Sequence, residues 1–187
     1  MTATTAPPQR MTGDEFLHIY GDRSGYELVD GQLVELEMPG LLHGEICGNA
    51  VSVLREFVKK KKLGRICGNN SLIRTQSEPD TFRGPDVLFI SYETYAADLP
   101  TPKGTFTPPL ELVIEVKSPS DSFNSLFEKA TEYLNAGVKV VLVLDPETES
   151  AGVYRSSELP MRLHNGDELT LPDILPGFAV SVKQFFE

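Results

Sequence analysis

Two aliphatic runs bracketing one capped segment constrain this chain more than any other feature. Leu110-Glu111-Leu112-Val113-Ile114-Glu115-Val116-Lys117 is short, aliphatic and β-branched, the pattern of a buried strand. Ser118-Pro119-Ser120-Asp121 breaks it. A helix follows, opening at Ser122 or at Ser125, where Ser125-Leu126-Phe127-Glu128 matches a capping box, and closing at Gly137. Residues 138–144 form a second buried strand, closed by Asp145-Pro146. Strand, helix, strand in that order predicts a right-handed crossover between parallel neighbours.

The remaining segments build outward from that unit. Thr12-Gly13-Asp14-Glu15 fits a capping box for a helix through about Tyr20. Asp30-Gly31 lies between two alternating runs, 26–29 and 32–36, and predicts a hairpin. Ile46, Ala50, Val53, Leu54, Phe57 and Val58 recur at helical spacing, with Gly64 as the residue after the helix end. Residues 65–75 read as one strand with a bulge at 68–70, 76–83 as a loop, and 86–91 as a strand. The Pro- and Thr-rich stretch 98–109 is a surface loop. Segments 152–155, 161–164 and 168–171 predict short antiparallel strands, and Ser181 a cap for a final short helix. The expected fold class is α/β. A mixed sheet is flanked by helices, with an N-terminal hairpin and C-terminal antiparallel strands. Residues 11–187 form the expected single domain, and 1–10 a loose tail.

Charge limits the functional classes. With 187 residues and a net charge of −10, the chain lacks the broadly basic surface of a passive nucleic-acid binder. The one basic cluster, Lys59 to Lys62, reads first as cations offsetting a helix C-terminus. No run is apolar enough for a signal peptide or a membrane span, and two cysteines make no disulfide framework. A soluble, cytoplasmic protein is expected.

The polar residues at the strand ends carry the chemistry. Strand alternation points Glu115 and Lys117 the same way, about 7 Å apart at the Cα. Val116 faces the opposite layer, leaving its carbonyl for a ligand. Asp86 opens the 86–91 strand behind Pro85, which cannot extend a sheet ladder. If the two strands pair, Asp86 and Glu115 can share a hard divalent cation, with Lys117 beside it to orient or deprotonate water. His43 is a candidate for phosphate contact or leaving-group stabilisation. Cys47 shares its helical face, but a His-x-x-x-Cys pair has no further obvious zinc ligand in the sequence. Ser118 and Ser120 read as turn or cap residues rather than nucleophiles.

The ordered set of segments resembles a known family. Tyr26-Glu27-Leu28-Val29-Asp30-Gly31, His43, Gly84-Pro85-Asp86-Val87, 109–121, Lys129, 133–138, Leu144-Asp145-Pro146 and Leu175-Pro176-Gly177-Phe178 carry the likeness. They are similar to the Uma-type putative restriction endonucleases of the PD-(D/E)XK nuclease superfamily. The resemblance implies a restriction-endonuclease-like fold and a Mg²⁺- or Mn²⁺-dependent phosphodiesterase acting on nucleic acid, DNA foremost. It implies Asp86, Glu115 and the Val116 carbonyl as metal ligands and Lys117 as the superfamily lysine. A lysine in the following helix substitutes in many relatives, which makes Lys129 a second candidate. Glu27 matches an upstream acidic residue that aids metal binding. Sequence specificity would come from loops such as 98–109 or from a homodimer. The alternative is an inactive nuclease fold kept as an interaction module.

Overall fold

The computed structural model describes residues 10–69, 71–102, 104–107 and 109–187. In chain order the elements are α1 (Gly13–Tyr20), β1 (Tyr26–Val29), β2 (Gln32–Glu35), α2 (Leu41–Lys61), β3 (Gly64–Gly68), β4 (Ile73–Gln76), β5 (Thr81–Arg83), β6 (Val87–Ser91) and β7 (Leu110–Val116). Then come α3 (Phe123–Asn135), β8 (Val138–Asp145), β9 (Ser150–Arg155), β10 (Met161–Leu163), β11 (Glu168–Thr170), β12 (Ala179–Ser181) and a 3-10 turn over Val182–Phe185. Of the expected tail over 1–10, only Arg10 lies within the described residues.

The architecture is the mixed α/β one expected. A six-stranded sheet runs in the order β10-β9-β8-β7-β6-β3. Its β7 and β8 are parallel and joined by α3, while the other pairings are antiparallel. All seven residues of β7 are buried, because helices cover both faces. Leu112, Ile114 and Val116 face Ile46, Ala50, Leu54 and Val58 of α2. Val113 and Val141 face Ala130 and Tyr133 of α3. α3 opens at Ser122, whose hydroxyl accepts the Ser125 N–H while Ser125 bonds back to the Ser122 N–H. Gly137, at φ +100°, then turns the chain into β8. The antiparallel pair β11-β12 and the terminal turn extend the α2 side of the core through Leu169, Val180 and Phe185.

A smaller sheet, β2-β1-β5-β4, packs Leu28 and Phe82 on Phe16 of α1. Its presence corrects two expectations. Residues 65–75 are not one bulged strand. Asn69 takes a positive φ, the chain turns, and β3 stays in the large sheet while β4 joins the small one. Asn70, the third residue of the expected bulge, lies outside the described residues. Thr81, Phe82 and Arg83, read as loop, form β5 between β1 and β4. Gly64 is also not needed as a helix terminator, because Lys62 supplies the left-handed residue. Gly64 instead lets β3 approach β6: a Cβ there would lie 2.1 Å from the Ile90 carbonyl oxygen. No helix among the described residues is long and apolar enough to cross a membrane.

Candidate active site

Arg83-Gly84-Pro85-Asp86 carries the chain from β5 of the small sheet into β6 of the large one. The polar candidates gather at this seam. Pro85 has no N–H, so the β6–β7 ladder begins after it, with Val87 opposite Ile114. Extending that antiparallel register by one residue puts Asp86 opposite Glu115. The Asp86 side chain then takes a backbone role: its Oδ2 accepts the Val116 N–H at 2.8 Å. His43 Nε2 lies 3.3 Å from the same oxygen. Among the described residues, both polar contacts of Asp86 are therefore at Oδ2.

Glu115 points to the α3 side and is buried. Its Oε1 accepts the Tyr133 hydroxyl at 2.6 Å, and its Oε2 accepts Lys129 Nζ at 3.0 Å. Lys129 and Tyr133 stand one helical turn apart on α3, so one face delivers both donors. Glu27 reaches the site from the small sheet. Alternation turns Leu28 of β1 toward α1 and Glu27 the other way, where its Oε1 lies 3.4 Å from Lys129 Nζ and accepts the Gly84 N–H at 3.0 Å. Arg83, on the same side of β5, donates to Glu27 Oε2 at 2.9 Å and grips Glu132 of α3 with Nε and Nη2. One lysine and one arginine thus tie β1, β5, β7 and α3 together.

The electrostatics follow from that crowding. Burial, opposed by Lys129 and reinforced by the charges of Asp86 and Glu27, pushes the Glu115 carboxyl up to about 7. Burial acts the same way on Glu27, but Lys129, Arg83 and the Gly84 N–H outweigh it and hold that carboxyl below its ordinary value. Burial disfavours the Lys129 ammonium, yet Glu115 and Glu27 hold it above the usual lysine range. Lys129 is a fixed cation, a donor rather than a base. The Asp86 and Cys47 contacts raise His43 to about 10.

Lys117 contacts a different pair of carboxylates. Its Nζ meets Glu147 at 2.7 Å and Asp145 at 3.6 Å, with the Phe123 ring beside it. The Glu147 bond holds its ammonium above the ordinary value. The ammonium against Glu115 belongs to Lys129. Ser118 Oγ donates to Asp121 at 2.7 Å and Ser122 caps α3, which are structural tasks. Arg83 is a member of the network that the sequence did not single out, whereas Tyr133 is expected beside Lys129 as an i, i+4 pair on one helical face. Arg83 needed the existence of β5.

The donor set fits a hard divalent cation. Asp86 and Glu115 are opposed carboxylates at the ends of paired strands, and Glu115 carries an ionisation cost that a neighbouring cation would remove.

A family model described as Uma2, putative restriction endonuclease, matches residues 14–183. The fold is similar to the crystal structure of a putative nuclease belonging to DUF820 from Anabaena variabilis ATCC 29413. That similarity has a TM-score of 0.79 at 21% identity and covers 94% of this chain and 97% of the other. No curated protein matches the chain.

Proposed function

The chain belongs to the Uma2 family of putative restriction endonucleases, and from that premise we propose a metal-dependent endonuclease that hydrolyses nucleic-acid phosphodiesters. The carrying observation is Lys129 Nζ at 3.0 Å from Glu115, which stands one register step beyond the β6–β7 ladder, opposite Asp86. Asp86 and Glu115, with the Val116 carbonyl, would hold Mg²⁺ or Mn²⁺. The ion would supply Lewis-acid stabilisation of the charge that develops on the phosphate and leaving oxygens. Lys129, kept protonated by two carboxylates, hydrogen-bonds and orients the attacking water and offsets phosphate charge. Glu27 and Arg83 position Lys129 and do not touch the reacting atoms in this reading. His43, held against Asp86, fixes that carboxylate.

DNA is the favoured substrate, because the family description is of restriction endonucleases. The net charge of −10 favours a local grip through the ion over a broad basic surface. The test is cleavage of single-stranded DNA, double-stranded DNA and RNA with Mg²⁺ or Mn²⁺. Metal-dependent cleavage is expected in the wild type, falling by about 100-fold or more in Asp86→Asn. Equal cleavage by wild type and Asp86→Asn would overturn the reading. Tight Mn²⁺ binding without any cleavage would favour the interaction module.

A further inference from the structure

His43 and Cys47 lie one turn apart at the start of α2, and the fold brings a third donor to them. His43 Nδ1 is 3.5 Å from Cys47 Sγ, and one donor atom each from His43, Cys47 and Asp86 lies within 4.8 Å of the other two. A tetrahedral ion with bonds of about 2.1 Å to nitrogen and about 2.3 Å to sulfur separates those ligands by about 3.5 Å. The His43–Cys47 edge already has that length. Asp86 Oδ2 now meets the other ring nitrogen, Nε2, at 3.3 Å, so joining an ion held by Nδ1 and Sγ requires the carboxylate to leave that contact. His43 and Cys47 are half-buried, and Asp86 is buried.

We propose that His43, Cys47 and Asp86 form a binding site for a borderline-soft divalent cation of the Zn²⁺ class. The sulfur and imidazole donors disfavour Mg²⁺, which takes oxygen ligands. Three protein donors leave one tetrahedral position open, the stoichiometry of an exchangeable site rather than a closed structural one. The site borders the hard-ion site and shares Asp86 with it. An ion on His43 and Cys47 therefore draws Asp86 away from Glu115, and Zn²⁺ suppresses cleavage supported by Mg²⁺. The binding claim stands without the nuclease reading; the suppression rests on it.

The test titrates Co²⁺ into the reduced full-length chain and reads the thiolate-to-cobalt absorption band. The band is expected to saturate at one equivalent, to bleach on adding Zn²⁺, to persist in Cys67→Ser and to vanish in Cys47→Ser. Co²⁺ affinity is expected to fall at least ~10-fold in Asp86→Asn. A wild type with no thiolate band, or a band that survives Cys47→Ser, would overturn the site. If Cys47→Ser does not fold, alkylation of the wild type decides. Zn²⁺ should slow Cys47 labelling far more than Cys67 labelling, and equal rates with and without Zn²⁺ overturn the proposal. A cobalt band with undiminished Mg²⁺-supported cleavage in saturating Zn²⁺ would overturn the shared role of Asp86. A cobalt band with no cleavage under any condition supports the site and counts against the nuclease reading.

Discussion

Lys117 and Lys129 differ in what their ammonium groups touch, and that difference is measurable. Lys129→Ala is expected to lower metal-supported cleavage by about 100-fold, whereas Lys117→Ala, which releases Glu147, Asp145 and the Phe123 ring, should cost less than about 10-fold. The reverse order in a steady-state assay would return the role to Lys117. Glu115 gives a pH prediction. Its folded ionisation near 7 lies above the ordinary 4.5, so its contribution to stability is complete below about 4.5 and is lost as pH rises through about 7. Denaturant unfolding of the metal-free wild type should therefore lose stability relative to Glu115→Gln between about pH 5 and about pH 8. Saturating Mg²⁺ should stabilise only the wild type at the upper end. A pH-independent difference between the two would contradict the burial of that charge. Asp86 and Glu115 were legible in the sequence because each stands at the end of an aliphatic strand of fixed period. Which lysine stands against Glu115 was not legible. It depends on where Glu147 and Asp145, some thirty residues downstream of Lys117, place their carboxylates.

At the level of elements, the hairpin at Asp30-Gly31 and the crossover through α3 were readable because their turn and cap residues are local. The parting of β3 from β4 was not. Both halves of residues 65–75 have strand character, and only the partner sheets separate them. β5 was hidden for a related reason: three residues carry too little periodicity to register, and Phe82 declares itself only against Leu28 and Phe16. Two substitutions test these elements by thermal unfolding. Gly64→Ala would press a Cβ into the Ile90 carbonyl and force β3 from β6, at a cost of about 1–3 kcal/mol. An unchanged melting temperature would contradict that close approach. Ser122→Ala removes the cap of α3 and should cost about 1 kcal/mol. No loss would place the helix start at Ser125 instead.

Across the whole molecule, the two sheets meet at an ion network and at an apolar contact, where Ile73 of β4 is buried with Leu88, Val113 and Tyr133 in the α3-side cluster. The small-sheet cluster around Phe16, Leu28 and Phe82 is separate from the clusters on either face of the large sheet. Arg83 and Lys129 span the seam between them. Arg83→Ala should therefore destabilise the fold by about 3 kcal/mol, since it takes from buried Glu27 one of its two cations, Lys129 being the other. Breaking the exposed Lys183–Glu187 pair should be nearly silent. Similar losses from both in equilibrium unfolding would argue against the seam as a structural joint. The seam also carries Asp86 and Glu115, the carboxylates proposed to hold the ion. A crystal of the wild type soaked in Mn²⁺ puts that to the most direct test. Anomalous density between the Asp86 and Glu115 carboxylates, within bonding distance of the Val116 carbonyl and beside Lys129, is the expected result. Density confined to other sites, with Asp86 still bonded only to Val116 and His43, would contradict the metal-dependent nuclease.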